Sequence, residues 1–304
     1  MGVAENIRRR RLELGLSQQQ LADRLGYKTR STVNKIESGE NSVPAGRLAA
    51  YAKALDTTAA SLLGRESFPV PAPAGGRTAV LILAGGRSTR NQQNIPNQFI
   101  NVLGKPVIMY SMEVYQHHPA VDDIYVVCLK GWEKIVLAYA REYGILKLRG
   151  ILPAGDTGVK SVRSGLNALK DTDTETVILQ ESTRPLVTEE TVSKLLLARG
   201  EEGAAVCEAM DDYVQFYDDG TDRRYIDRDR LVSLQSPEAY RLGMLRDMFD
   251  RAEREGRDLG ESCCAMLLYD MGHRFNFVEG PHNNIKVVRQ EDIAILTALI
   301  KTGM

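Results

Sequence analysis

Aromatic residues are scarce, at 6% of 304 positions with a single tryptophan. No apolar run reaches the ~18 residues of a membrane-crossing helix, so no membrane partner is expected. No apolar signal core precedes Arg8-Arg9-Arg10-Arg11, so an unexported, cytoplasmic protein is expected. The four cysteines (Cys128, Cys207, Cys263, Cys264) lack the spacing of a metal site or a disulfide framework, which fits a reducing compartment. Cys263 and Cys264 are too close together to pair easily, and read as helix or turn residues. A composition of 43% hydrophobic and 26% charged residues excludes disordered, collagen-like and disulfide-scaffold classes.

Net charge is also nearly missing, at -1. That figure is a cancellation. Residues 1–65 hold 11 basic and 6 acidic side chains, a balance of +5, and the remainder carries -6. Such asymmetry points to two parts with different partners. The length, about twice the ~150 residues of a typical domain, agrees. The break falls at residues 66–76, ESFPVPAPAGG, where Pro69, Pro71 and Pro73 form an extended strut and Gly75-Gly76 a joint. The expected organisation is a helical domain over 1–65, a linker over 66–76 and a larger domain over 77–304.

Before the linker the pattern is of short helices. Asn6 to Leu14 makes a first helix ended by Gly15, and Ser17 caps a second running from Gln18 to Leu25, with a stop at Gly26. Thr29 or Ser31 is placed to cap a third, with Val33 and Ile36 inward and Gly39 at its end. Pro44 to Leu55 and Thr58 to Leu63 follow.

SQQQLADRLGYKTRSTVNKIESGE, followed by LAAYAKAL and SLLG, resembles the Cro/C1-type (XRE) helix-turn-helix family across residues 3–64. The resemblance implies double-stranded DNA as partner, with the third helix in the major groove. Arg30, Ser31, Asn34 and Lys35 lie at the start and outer face of that helix. Arg30 and Asn34 are the base-reading candidates, since Arg pairs bidentately with guanine and Asn with adenine. Gln18 matches the position that docks on the DNA backbone. The turn, Tyr27-Lys28-Thr29, is about one residue longer than the commonest spacing. A helical bundle for protein contacts is the alternative, and Arg8 to Arg11 suit either phosphate contact or snorkelling along the first helix.

After the linker the periodicity switches. Ala79 to Leu83, Ile124 to Leu129, Thr176 to Leu179 and Ala204 to Cys207 are apolar runs of the kind buried on both faces of a sheet. Amphipathic stretches alternate with them, at Pro106 to Gln116, Trp132 to Tyr143, Ser161 to Leu169 and Thr188 to Ala198. The alternation predicts a doubly wound α/β domain with a mostly parallel sheet. Ligands in such sheets sit beyond the carboxyl ends of the strands. The loop there reads Ala84-Gly85-Gly86-Arg87-Ser88-Thr89-Arg90, then Pro96-Asn97-Gln98. Glycines let backbone N–H groups approach phosphate, although a Gly pair after a strand also serves as a plain turn.

Together with GDTGVKSVRSGL (155–166), ESTRPLV (181–187), IDRDRLVSLQSPEAY (226–240) and VEGPHNNIKVVRQEDI (278–293), the loop resembles the cytidylyltransferase family of methylerythritol-phosphate and ribitol-5-phosphate enzymes. The resemblance runs from Thr78 to Ile300 and implies a Rossmann-like, GT-A-like nucleotidyltransferase fold with a β-arm. It also implies CTP and Mg²⁺ as cofactors and a polyol phosphate as second substrate, joined by attack on the α-phosphorus. Carried over, Ala84, Gly85 and Gly86 line the nucleotide, with Arg90 over its phosphates. Gly155, Asp156 and Ser161 hold the cytosine and ribose end, and Glu181 keeps an acidic side chain at the site. Arg228 and Lys286 clamp the polyol phosphate, and Arg184 supports its loop.

The departures lie in the same loops. The family's Pro-Lys-Gln, with its catalytic lysine, becomes Pro96-Asn97-Gln98, and Ser88 replaces a glycine. Thr-Pro-Gln becomes Ser236-Pro237-Glu238, Gly158 stands where many members carry Arg, and Asp212 where a phosphate-binding Thr is common. Glu261-Ser262-Cys263 replaces a Thr-Asp-rich turn. Trp132 is expected to pack its helix onto the sheet, and His117-His118 to cap a helix end. Tyr213 to Leu234, polar and β-prone around an Asp218-Asp219-Gly220 turn, matches the arm that the family exchanges between subunits of a homodimer. A two-fold dimer also suits a helix-turn-helix that reads a pseudo-palindromic operator. The reading is a DNA-binding regulator whose second domain pairs the chains and senses a cytidine nucleotide or polyol phosphate. An active cytidylyltransferase with an autoregulatory DNA-binding domain is the alternative.

Overall fold

Leu21, Ala22, Val33 and Ile36, spaced to fall on one face of two short helices, meet in a small core closed by Ile7, Tyr51 and Leu55. In this computed structural model, residues 3–41, 43, 47–55, 57, 62, 76–87, 95–209, 215–227, 230–257 and 263–303 are described. The chain divides into two units, Met1–Pro69 and Val70–Met304. Of the strut at 66–76, only Gly76 lies among the described residues.

Among the described residues the first unit has α1 (Val3–Glu13), α2 (Gln18–Arg24), α3 (Ser31–Glu37) and α4 (Leu48–Ala54). Ser17 opens α2 as a capping box: its hydroxyl accepts from the Gln20 amide at 3.1 Å, and its own amide donates to Gln20 Oε1 at 2.7 Å. Gly26 ends the turn after α2 with φ +75°, a conformation that favours glycine. The start of α3 departs from expectation. Neither Thr29 nor Ser31 caps it; Arg30 takes the cap position with no side-chain bond. Its backbone is already helical (φ -64°, ψ -14°), and side-chain capping needs an extended residue there. Of the segment expected at 58–63, only Leu62 is described, and it is buried.

In the second unit β1 (Arg77–Ala84) leads to a short hairpin, β2 (Asn101–Val102) and β3 (Lys105–Pro106), then α5 (Val107–His117). Next come β4 (Asp123–Cys128), α6 (Glu133–Glu142), β5 (Leu148–Pro153), α7 (Gly158–Ala168) and β6 (Thr174–Glu181). They are followed by α8 (Glu189–Ala198), β7 (Ala204–Ala209), β8 (Gln215–Asp218), β9 (Arg223–Ile226) and β10 (Val232–Arg241). The chain continues through α9 (Leu242–Arg254), α10 (Cys264–Asp270), β11 (Asn276–Glu279) and α11 (Gln290–Thr302). Seven strands make one sheet in the order β11-β7-β10-β6-β1-β4-β5, parallel except for β10.

The alternation along β1 builds both layers. Val80, Ile82 and Ala84 join the core under α5, α6 and α8, while Ala79 and Leu81 join the core under α7, α9 and α10. The carboxyl ends of β1 and β6 are thereby fixed side by side, with Leu83 opposite Glu181. The β8–β9 hairpin forms a separate two-stranded ribbon around Asp219-Gly220. Trp132 packs against the core under α5, α6 and α8 and stacks on Phe99 in the turn before β2, with ring centroids 4.4 Å apart and planes within 1°. The two histidines part company. His117 Nδ1 lies 2.7 Å from the Glu113 carbonyl in the last turn of α5, but His118 is buried, with Nε2 3.0 Å from Ser193 Oγ. It bridges to α8 because its side faces the core.

Candidate functional site

The outer face of α3 carries the DNA-reading candidates. Val33, Ile36 and Glu37 are buried, which turns Ser31, Asn34 and Lys35 outward, with Arg30 exposed just ahead. The inner side is fixed by Arg11, whose Nε and Nη2 meet the two Glu37 carboxylate oxygens at 2.6 and 2.9 Å. Arg11 is thus committed to the core. Gln18 Nε2 donates to Glu37 Oε2 at 2.9 Å and reaches Asn34 Oδ1 at 3.4 Å. The start of α2 and the face of α3 therefore form one surface, in which Asn34 must give up a long hydrogen bond to read a base edge. Lys35 pairs with Glu40 at 3.2 Å, both exposed, an ion pair that costs little to exchange for phosphate.

The second site forms where β1, β5 and β6 end. Ala84 is buried, Gly85 half-buried and Gly86 exposed. A Cβ on Gly85 would lie 2.5 Å from Ala154 Cβ, so only glycine lets this loop approach the one after β5. There Ser161 Oγ accepts from the Gly155 amide at 3.1 Å and donates to the Thr157 carbonyl at 2.9 Å, which holds the turn at the start of α7. Asp156 projects into solvent. Gln98, which the motif reading passed over, is a principal strut: buried, it donates to the Ala84 and Gly86 carbonyls at 2.9 and 3.0 Å. Only its place beside Asn97 pointed to it.

Asn97 is itself 3% exposed, and Nδ2 donates to the carbonyls of Val287 and Val288 at 3.2 and 3.0 Å. The amide ties the loop after β1 to the segment before α11. Lys286 pairs with the Glu181 carboxylate, which also takes Arg184 Nε at 3.0 Å. Arg184 Nη1 donates to the Asn284 carbonyl at 2.7 Å, the supporting role expected of it. Ser236 Oγ accepts from the Glu181 amide at 3.1 Å, which ties β10 to β6. Burial alone would raise the Glu181 carboxyl, but the charges of Lys286 and Arg184 outweigh it and hold the group below its ordinary range. Glu238, two residues along β10, has no such cation. Burial, reinforced by the negative charge of Glu181, pushes it up to about 7, although Tyr240 donates to it at 2.7 Å. The structure brings Ala84, Gly85, Gly155 and Ser161 together, and likewise Glu181 and Lys286. Arg90 and Arg228, with Ser88, Asp212, Glu261 and Ser262, lie outside the described residues.

Among the described residues the cleft offers a Mg²⁺ no full set of protein ligands. No group of three or more His, Cys, Asp or Glu suited to a metal occurs among the described residues, and Glu181 is already shared by two cations.

A mostly parallel sheet with a glycine loop after its first strand, preceded among the described residues by α1 to α4, defines a nucleotidyltransferase-type α/β unit joined to a helix-turn-helix. Residues 7–62 match the helix-turn-helix family, and residues 78–302 match 2-C-methyl-D-erythritol 4-phosphate cytidylyltransferase. The chain belongs to that cytidylyltransferase (IspD) family. It is 31% identical over 226 residues to the ribitol-5-phosphate cytidylyltransferase of Lacticaseibacillus paracasei, covering 73% of this chain and 97% of that protein. It is also 31% identical over 222 residues to the 2-C-methyl-D-erythritol 4-phosphate cytidylyltransferase of Rubrobacter xylanophilus, covering 72% and 93%. The fold is shared with 4-diphosphocytidyl-2C-methyl-D-erythritol synthase from Anaerococcus prevotii, with a TM-score of 0.65 at 23% identity over 75% of this chain and 97% of that one. No helix among the described residues is long and apolar enough to cross a membrane.

Proposed function

We propose that the protein is a cytoplasmic, DNA-binding transcriptional regulator whose cytidylyltransferase-like unit pairs two chains and senses a cytidine nucleotide or a polyol phosphate. Position 97 carries the reading. An ammonium there would neutralise charge on the transferring phosphoryl group, whereas Asn97 is neutral, buried and bonded to two carbonyls. Loss of one such donor costs about 3 kcal/mol of transition-state stabilisation, a hundredfold or more in rate. Binding survives that loss better than transfer does, because the glycine loop, Ser161 and Lys286 remain. Arg90 and Arg228 are the further phosphate-binding candidates, and Gln18, Arg30, Ser31, Asn34 and Lys35 the DNA-binding ones. Exposed Phe216, Tyr217 and Tyr225 on the β8–β9 hairpin support pairing with a second copy. A ligand alters DNA binding only so far as it favours one state of the dimer over another.

The relatives' names and their nearly full coverage favour a second reading, an active CTP-dependent ribitol-5-phosphate or methylerythritol-phosphate cytidylyltransferase with an autoregulatory DNA-binding domain. Pyrophosphate release from CTP with either polyol phosphate decides between them. The regulator reading expects little turnover, a gain on Asn97→Lys, and calorimetric binding of CTP below millimolar concentration. It also expects a salt-sensitive complex with the protein's own upstream DNA, weakened by Arg30→Ala with Asn34→Ala. Rapid turnover by the unaltered chain would overturn it in favour of the enzyme.

A further inference from the structure

Two carboxyl groups sit at this cleft in opposite environments. Glu181, at the end of β6, is held by Lys286 and Arg184. Glu238, on neighbouring β10, faces Tyr240 from its own strand, Glu181 from β6, and Cys263 and Cys264 from the start of α10. No cation is among these groups. Tyr240 is fully buried, and its hydroxyl donates to Glu238 Oε2 at 2.7 Å. That bond takes Oε2 as acceptor and leaves Oε1 to carry the acid proton. Glu238 is half-buried, and among the described residues Oε1 has no hydrogen-bond partner. Two neighbouring carboxyls whose surroundings push them apart settle as one charged and one neutral.

We propose that Glu238 is a ligand-binding residue of this cleft that works as the neutral acid, donating its Oε1 proton to an oxyanion of a phosphorylated ligand. The inference rests on the reading of the cleft as a site for such ligands. An O–H donor on an uncharged group accepts an anion where a second carboxylate beside Glu181 would repel it. Affinity for the anion then follows the fraction of Glu238 that holds its proton. With half-protonation near pH 7, that fraction falls from about nine-tenths at pH 6 to about one-tenth at pH 8, weakening binding about tenfold.

The test is calorimetric titration of CTP into the full chain at pH 6 and pH 8, with the unaltered protein and Glu238→Gln. The glutamine keeps a neutral donor at every pH, and ionisation of CTP itself cancels in the comparison. The expected result is about tenfold weakening between the two pH values beyond that shown by Glu238→Gln, with the two proteins close at pH 6. Equal pH dependence of the two overturns the role of Glu238 while leaving the cleft as a site. No CTP binding by either protein at either pH overturns the reading of the cleft, and this proposal with it. Titrations of the unaltered chain at pH 7.5 in two buffers of different ionisation enthalpy give an independent measure. Most of one proton should enter the protein on binding, and none entering refutes the proposal even if the variant does not fold.

Discussion

Arg11→Met removes one half of a buried ion pair on which the whole DNA-reading unit is organised. The guanidinium meets both Glu37 oxygens, and its third nitrogen, Nη1, donates to the Leu16 carbonyl at 2.7 Å. The two side chains are only 8% and 3% exposed. Methionine fills much of the volume but strands a carboxylate whose one remaining donor of note is Gln18. Breaking a buried pair from one side costs about 3–5 kcal/mol. A domain of this size, at roughly 0.05–0.15 kcal/mol per residue, has about 3–9 kcal/mol in total. The substitution therefore takes between about a third of the stability of the first unit and all of it. Because the single tryptophan, Trp132, lies in the second unit, its fluorescence reports that unit, and helical circular dichroism reports both. The expected outcome is a helical transition lowered by about 12 °C or more, lost DNA binding at 37 °C, and an unmoved tryptophan transition. Arg11→Met with Glu37→Met leaves no buried charge uncompensated and should recover part of the loss. A shift under about 4 °C for the single variant, or a double variant no better than the single, would show that the pair is solvated and the reasoning wrong.

Buried His118 and half-buried Glu238 give the second unit opposing pH dependences. His118, lowered to about 4 by burial and then by Lys147, favours the fold above the ordinary histidine range, and this stability is lost as pH falls from 6.5 towards 4. Glu238, raised to about 7, does the reverse: its proton stabilises the fold below the ordinary carboxylate range, and this stability is lost as pH rises from 4.5 to 7. Each is worth at most about 3 kcal/mol across its window, so they nearly cancel. Urea melts followed at Trp132 should be almost flat between pH 4.5 and 6.5, rise with pH in Glu238→Gln and fall in His118→Gln; a flat profile in both variants would sink the assignment. Gly85→Val should destabilise the second unit by about 1–3 kcal/mol and weaken CTP binding, since its Cβ would overlap Ala154. Unchanged melting and affinity would mean that the loop is not packed against the turn after β5.

The elements legible in the sequence were those whose apolar residues repeat without interruption. Ala79 to Leu83 and Ile124 to Leu129 read as strands from their apolar runs, and all but Leu83, Tyr125 and Leu129 are buried. β5 escaped notice because it is an edge strand, half-exposed along most of its length, and its Leu148-Arg149-Gly150 has no strand signature. β10 escaped for another reason. It runs antiparallel between β6 and β7, with Pro237 inside it and a register shift between Gln235 and Glu238, so no period of two survives. At the cleft, sequence motifs distinguish residues by kind, and the structure sorts them by partner. Asn97 and Gln98 are adjacent and similar, yet one fastens the segment before α11 and the other fastens the glycine loop. No local pattern predicts which carbonyls an amide finds at a separation of 190 residues.

Those partners also bear on what the cleft does best. Lys286, Arg184 and Asn97 all have acceptors within the protein: Glu181, the Asn284 carbonyl, and the carbonyls of Val287 and Val288. The three hold the segment 284–288 against the ends of β6 and β1, a job usually left to apolar contacts. A phosphate that binds here competes with Glu181 for Lys286, while the carboxylate keeps Arg184. The exchange therefore trades one ion pair for another at little net cost, while loosening one fastening of that segment. On the proposed regulator reading, such an arrangement would convert occupancy into a change in how tightly the loop before α11 is held, as a sensor requires. A transferase requires instead that cations be free to follow charge as it moves along the phosphates, and position 97, with its amide fixed on two carbonyls, has none to offer.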